Sequence, residues 1–204
     1  MDDHALDLGF TTEAVPECHH LCLIYDNEEQ RREIVSKYLA AGIQHGEIVR
    51  YFADTTTPEE IHAWLSDMGL ESEESEAFRI LSAESAYCPG GHHAPRQVLD
   101  NAILRYGTAR QAGFSASRAC GEMTWVLRSI PDADRFLEYE VGLNMIEHDF
   151  PRIGMCQYDA RRFDGATLFK VLQVHPYMVA QGQIIRNPFY IQPEEFLKNL
   201  KTGQ

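Results

Sequence analysis

The sequence predicts an α/β fold of three layers, a largely parallel central sheet with helices on both of its faces. Three observations carry this. Apolar runs of strand length alternate along the chain with segments whose apolar residues recur at three- and four-residue spacing, the helical period. Glycine, proline or a capping side chain stands at nearly every junction between them. No repeat, low-complexity tract or dividing linker interrupts the 204 residues, so the alternation belongs to one domain over 17–204, preceded by an arm over 1–16. Strands separated by helices pair in parallel, since each return to the sheet is a crossover.

Taken in order, residues 19–25 are an apolar strand, and Asp26 or Asn27 caps the helix behind it. That helix carries Ile34, Val35, Tyr38, Leu39 and Gly42 on one face and closes at Gly46. Residues 47–53 form the second strand. Pro58 opens the next helix, which Gly69 stops after Met68. Residues 78–83 are a third strand, and the Pro- and Gly-rich 88–95 is a loop, with 86–95 the candidate lid of a binding site. A helix over 96–112 closes near Gly113. The strand 117–125 follows, and Pro131-Asp132 opens a helix expected to reach about Phe150. Residues 153–158 are a strand, and a helix from Asp164-Gly165 to Val174 ends at His175-Pro176. A last strand over 184–191 is broken by Asn187-Pro188, and a helix over 193–200 completes the alternation.

Composition excludes several functions. The 31 acidic residues outnumber 18 basic ones, a formal charge of −13, which disfavours nucleic acid and anionic membrane as partners. No apolar run reaches the roughly 20 residues that span a bilayer. The opening Met1-Asp2-Asp3-His4 lacks the basic-then-apolar plan of a secretion signal, so a cytoplasmic location is expected. Five scattered cysteines, an odd number, read as buried free thiols in a reducing compartment. The first strand-to-helix turn, Tyr25-Asp26-Asn27-Glu28-Glu29-Gln30, holds no glycine or lysine and three carboxylates. It is the opposite of a phosphate cradle. With no Gly-x-Ser-x-Gly elbow and no His-Glu-x-x-His helix either, neither catalysis nor a cofactor is expected.

The strand 117–125 is the anomaly. It places Gly121, Glu122 and Trp125 where a buried strand wants branched aliphatics. A glycine there admits a close neighbour, and a buried carboxylate needs an answering group. The strand therefore reads as a pocket floor at the carboxyl edge of the sheet, where ligands of open α/β sheets bind. The competing reading pairs Glu122 with one of the fourteen arginines, Arg118 and Arg128 being close in sequence. Glu140, Asn144 and Glu147 share a helix face whose ordinary reading is a solvated one; its apolar border makes Glu140 the candidate to turn inward. Cys156 and Tyr158 point the same way on their strand. His175 continues the face of Leu168, Val171 and Leu172, and Asn187 offers a donor and an acceptor inside a broken strand. As an alternative, Cys18, His20 and Cys22, with Cys88 and His92 or His93 recruited from the glycine loop, form a thiol–imidazole set for a metal or redox switch. Three ligands along one strand span roughly 13 Å, too far for one ion without such recruits.

These pieces together resemble the MEDS family, the methanogen and methylotroph sensory domain. The resemblance rests on His20 with Tyr25-Asp26, Gly121-Glu122-Met123-Thr124-Trp125, Tyr139-Glu140 with Asn144, Cys156-Gln157-Tyr158-Asp159, His175-Pro176 and Asn187-Pro188-Phe189-Tyr190. It runs from about residue 17 to 197. It implies a RecA- or KaiC-like fold without its phosphate loop and a non-catalytic sensor of simple hydrocarbon derivatives. The implied ligand-contact positions are His20, Tyr25, Glu122, Trp125, Glu140, Asn144, Cys156, Tyr158, His175 and Asn187. Family members often carry a fused output module. None is expected here, so the resemblance implies a separate kinase or transcription regulator as partner, or a homodimer. Residual nucleotide binding is the remaining alternative.

Overall fold

The computed structural model describes residues 5–13, 15–16, 19–146 and 150–202. Near the N-terminus two short strands, β1 (Ala5–Leu6) and β2 (Val15–Pro16), pair antiparallel. The arm does not stand away from the domain, because Leu8 between these strands is fully buried in the core. Then come β3 (His19–Tyr25), α1 (Glu28–Gln44), β4 (Ile48–Ala53), α2 (Pro58–Ser66), β5 (Phe78–Ser82), α3 (Ala83–Tyr87) and α4 (Pro95–Gln111). The second half holds β6 (Ser117–Glu122), two 3-10 turns (Thr124–Leu127 and Ala133–Arg135), α5 (Phe136–Leu143), β7 (Arg152–Asp159), α6 (Gly165–Val174), β8 (Tyr177–Ala180), β9 (Gln183–Arg186) and α7 (Pro193–Thr202).

Seven strands form one sheet in the order β5-β4-β6-β7-β3-β8-β9, parallel throughout except for the edge pair β8-β9. The cap expected at Asp26 or Asn27 is Asn27, and further helices are capped by side chains. The Asn27 side chain accepts from Gln30 N to start α1, Thr57 and Glu60 form a capping box ahead of Pro58, and Asp164 caps α6.

The alternation of side chains along the inner strands divides the core in two. Leu21, Leu23 and Tyr25 of β3, Cys120 of β6 and Ile153 and Met155 of β7 pack with α1 and α2. Cys22, Cys156 and Tyr158 face the other way, into a core shared with α4, α5, α6 and α7. Helices thus cover both faces, as expected.

Four expectations need correcting. The strand expected over 117–125 is β6, which ends at Glu122, and Trp125 lies in the 3-10 turn that follows. Among the described residues, the helix expected from Asp132 to Phe150 is α5, with the 3-10 turn Ala133–Arg135 ahead of it. Asp132 has a left-handed φ of 61°, and Asn144 ends the helix by giving its side-chain N–H to Val174 O. The strand expected over 184–191 is β9, which ends at Arg186, because Asn187 turns back to bond α6. The four-residue β8 ahead of it was missed. Its link to β9 is a two-residue hairpin turn, Gln181-Gly182, both with positive φ, which matches the twist of the flanking strands.

Candidate functional site

The predicted residues do not gather in one edge pocket. Strand parity separates them into two buried clusters on opposite faces of the sheet.

The first lies against α1. Glu122, at the carboxyl end of β6, is buried and receives six donors. Tyr51 Oη gives to Oε1 at 2.6 Å and Arg31 Nη2 at 2.9 Å. The backbone N–H groups of Asp54, Thr55 and Thr56 and the Thr55 hydroxyl converge on Oε2. The β4–α2 loop thus presents a nest of N–H groups of the kind that holds anions, and the chain fills it with its own carboxylate. Burial works against the charge, but Arg31 and the donors from Thr56, Tyr51 and Thr55 outweigh it, so the carboxyl titrates below its ordinary range. Arg31 is itself saturated, giving Nε to Gln157 Oε1 at 2.8 Å and Nη2 to Thr56 Oγ1 at 2.8 Å. Glu122 is thus paired with an arginine, as the competing reading had it, but neither of the two close in sequence is the partner: Arg118 is paired with Glu47, and Arg128 with Asp54 and Glu84. Arg31 escaped notice although its position extends the buried face of α1 by one turn ahead of Ile34 and Val35. Tyr25 also lies on this face, with the Arg31 guanidinium over its ring.

The second cluster is centred on Glu140 of α5, which does turn inward and is fully buried. Tyr158 Oη donates to its Oε1 at 2.5 Å. Its Oε2 is approached by His20 Nε2 at 2.9 Å, by Cys156 Sγ at 3.5 Å and by His175 Nε2 at 3.5 Å. His20 Nε2 and Cys156 Sγ are 3.3 Å apart. These residues come from β3, α5, β7 and the end of α6, so only the folded chain assembles them. Burial, and then His175, push the His20 pKa down to about 4, leaving a neutral ring at pH 7. Burial and the Glu140 charge both raise Cys156 and Tyr158 far above their usual values, so each is a neutral donor. His175 Nδ1 gives its proton to Val171 O at 2.8 Å, while its Nε2 and His20 Nδ1 are buried without a hydrogen-bond partner.

A cavity of about 30 Å³ adjoins this cluster, lined by His20, Cys156, Gly154, Gly121, Tyr87 and Tyr139 among others. Gly121 does admit a close neighbour: a Cβ there would lie 2.1 Å from the Tyr87 hydroxyl. Trp125 stands on the 3-10 turn after β6, fully buried and stacked on Tyr87 at 5.3 Å, with its indole N–H unpartnered. Larger clefts lie elsewhere, among them one of about 180 Å³ lined by Ile48, Arg50, Leu104, Arg105 and Tyr106. The one of about 570 Å³ at the carboxyl edge is lined by Glu28, Glu29, Glu60, Arg31, Arg32 and Trp64, and is too polar for an apolar ligand.

Asn144 and Asn187 tie elements together. Asn187 is buried and gives its side-chain N–H groups to Leu172 O and His175 O. The alternative metal set is not assembled. Cys22 Sγ donates to Tyr177 O, Cys88 lies in the loop after α3, His92 is exposed, and Cys18 lies outside the described residues. His93 is buried against Trp125 and bonded to Tyr87 O. Among the described residues, the group able to hold a metal is His20, Glu140, Cys156 and His175, which shares only His20 with that set.

No helix among the described residues is long and apolar enough to cross a membrane. Residues 19–176 match the MEDS family, described as the MEthanogen/methylotroph, DcmR Sensory domain. The transcriptional repressor DcmR of Methylorubrum extorquens (strain DSM 6343 / CIP 106787 / DM4) is 26% identical over 157 residues, 76% of this chain and 57% of the repressor. The chain therefore spans little more than half the length of that relative. Among solved structures, the uncharacterized protein PH0321 of Pyrococcus horikoshii, in complex with an unknown peptide, aligns with TM-score 0.63 at 14% identity, over 81% of this chain and 78% of that one. The KaiC-like protein PH0186 of Pyrococcus horikoshii OT3 aligns with TM-score 0.55 at 13% identity, over 86% and 79%. The flagellar accessory protein FlaH of Methanocaldococcus jannaschii gives 0.56 at 8%, over 88% and 83%. The fold is thus that of the KaiC- and RecA-like proteins.

Proposed function

Because the chain belongs to the MEDS sensory family, we propose that it is a non-catalytic sensor of a small organic ligand, a simple hydrocarbon derivative. The ligand enters the chamber between the sheet and helices α4 and α5. The observation that carries this reading is a wall of aromatic side chains, Tyr87 and Tyr139 with Phe52, beside His20, whose buried Nδ1 has no partner. The chamber is lined about equally by polar and apolar atoms, with Arg105 and Arg152 on its wall, so it suits a small ligand that carries a polar group beside its apolar part. At about 30 Å³ it has room for about one water, so a ligand has to open it. The stretch 86–95 is the lid: it carries Tyr87 into the chamber, and its turn depends on Gly90 and Gly91 at φ of 80° and 82°. Withdrawing Tyr87 from Gly121 enlarges the chamber, and a ligand that stabilises the open form shifts the population toward it. The output passes to a separate transcription regulator or kinase, directly or through a homodimer, in the cytoplasm. Nucleic acid and membrane are not direct partners of this acidic domain.

The test is a thermal-shift panel of small alcohols, thiols, and chlorinated and methylated hydrocarbons on the wild type and on Gly154→Ala. A Cβ at Gly154 meets its nearest neighbour, His20, at 3.8 Å, so the variant should fold while its methyl occupies the chamber. A ligand at a hundred times its Kd stabilises by about 2.7 kcal/mol, a rise of roughly 5–11 °C for a chain of this size. The variant should melt like the wild type without ligand and lose most of that rise. If no compound shifts the wild type, or the variant responds equally, the chamber is not the sensor site.

A further inference from the structure

We propose that His20, Glu140, Cys156 and His175 form a four-coordinate site for a zinc-class divalent cation, held at His20 Nε2, Glu140 Oε2, Cys156 Sγ and His175 Nε2. The inference goes beyond the sensor reading and does not depend on it. All four donor atoms lie within 4.8 Å of one another and all four residues are buried. Bond lengths of 2.0–2.3 Å to nitrogen, oxygen and sulfur give a tetrahedron with edges of about 3.3–3.7 Å. The edges from Glu140 Oε2 are 3.5 Å to Cys156, 3.5 Å to His175 and 2.9 Å to His20, and His20 to Cys156 is 3.3 Å. Four of the six edges thus lie within a few tenths of an ångström of a coordination shell; the two from His175 to His20 and Cys156 are bounded by the 4.8 Å spread of the group, so His175 is the ligand that closes in.

The orientation of the outer atoms argues the same way. Tyr158 occupies Glu140 Oε1, which leaves Oε2 as the common vertex of the other three donors. His175 gives its Nδ1 proton to Val171 O, which turns Nε2 toward Glu140 Oε2. A buried carboxylate oxygen facing a ring nitrogen calls for positive charge between them, and either a proton on Nε2 or a metal ion supplies it. An N–H bonded to a backbone carbonyl, with the opposite nitrogen turned to a shared centre, is how metal-bound histidines are held in place. Binding displaces the Cys156 thiol proton, which leaves to solvent, and both histidines bind as neutral rings. One carboxylate and one thiolate then balance a dication, so the buried site carries no net charge. The donor set, two imidazoles with one thiolate and one carboxylate, suits zinc and its cobalt surrogate. With four protein ligands the site is closed, and its role is to lock β3, β7, α5 and α6 together beside the chamber.

The full chain, purified without a histidine tag and stripped with chelator, is titrated with Co2+ and then Zn2+. One equivalent of Co2+ should bind with the intense visible bands of tetrahedral cobalt and a near-ultraviolet thiolate-to-metal band, and Zn2+ should displace it. Cys156→Ser should lose the thiolate band, and Tyr158→Phe should weaken binding by about 10- to 100-fold with an unchanged circular dichroism spectrum. Zinc-edge X-ray absorption on the wild type should read one sulfur and three lighter ligands, whether or not a variant folds. Absence of stoichiometric binding, a shell without sulfur, or an unaltered thiolate band in Cys156→Ser overturns the assignment.

Discussion

Replacing Glu122 with glutamine tests whether this carboxylate is an internal anchor. The side chain keeps its shape and loses its charge. Arg31, itself buried, is left facing a neutral amide, with Glu28 at 3.1 Å on the half-exposed side as its remaining carboxylate partner. The amide also carries two hydrogens into a site where every neighbour is a donor. In one orientation they meet Arg31 and Tyr51, in the other the N–H groups of Asp54, Thr55 and Thr56. Breaking one partner of a buried ion pair costs about 3–5 kcal/mol. At 2–4 °C per kcal/mol, the melting temperature should fall by roughly 6–20 °C. Differential scanning calorimetry and urea titration give both figures. The sign of the pH dependence follows from the lowered folded-state pKa. The contribution of Glu122 is complete above its unfolded value of about 4.3 and is lost as pH falls through the lower, folded value. The stability gap between wild type and variant should therefore narrow below about pH 4. A melting change under about 3 °C at pH 7, or a gap that widens in acid, would refute the anchor.

Other substitutions examine single contacts. Gly121→Ala puts a methyl 2.1 Å from the Tyr87 hydroxyl, and overpacking of this kind should cost about 1–3 kcal/mol by urea denaturation; a neutral variant would mean that Tyr87 moves freely. Asn187→Ala removes the N–H groups that reach Leu172 O and His175 O, so two buried carbonyls lose a donor. The loss should be about 1–3 kcal/mol, with faster amide exchange in β9 and the end of α6. Thr57→Ala opens the capping box of α2 and should cost about 0.5–2 kcal/mol, and Thr57→Ser should restore most of it.

Much of the fold could be read locally, because its signals are local. Caps at Asn27, Thr57 and Asp164 act over three residues, and the apolar periods of β3 and α1 lie within each segment. The inward turn of Glu140 and the shared direction of Cys156 and Tyr158 were legible for the same reason. Parity within β6 also separates Glu122 from Gly121. What no segment carries is which parity of β6 matches which parity of β3 and β7, since that depends on the order β6-β7-β3. One edge pocket was therefore expected where the sheet holds two clusters. The Glu122 partner lies 91 residues away on a helix, beyond any spacing rule, although an arginine on the apolar stripe of α1 was a usable sign. At four residues, β8 was too short for its alternation to register.

The two clusters have the same plan, a buried carboxylate with a tyrosine hydroxyl on its Oε1, and they stand back to back across the sheet. Tyr51 donates to Glu122 at 2.6 Å on one face and Tyr158 to Glu140 at 2.5 Å on the other. Their closest link is β7, where Cys156 and Gln157 are neighbours in sequence and point opposite ways. That link is stiff, because β7 is paired in parallel on both sides, with β6 and with β3. For a change at Glu140 to reach Arg31 through it, two hydrogen-bond ladders would have to distort. By contrast, α5 and α6 are joined to each other and to the residue after β9 by the side-chain bonds of Asn144 and Asn187. On the sensor reading proposed above, a signal that starts at the Glu140 cluster is expected to leave through those helices, with the Glu122 cluster as a fixed anchor on the other face. A double-mutant cycle decides this. Tyr51→Phe and Tyr158→Phe each remove one hydroxyl donor, and with no shared partner their effects should add to within about 0.5 kcal/mol. An interaction energy above about 1 kcal/mol in urea unfolding would show that the sheet transmits, and would place the output on the α1–α2 face instead.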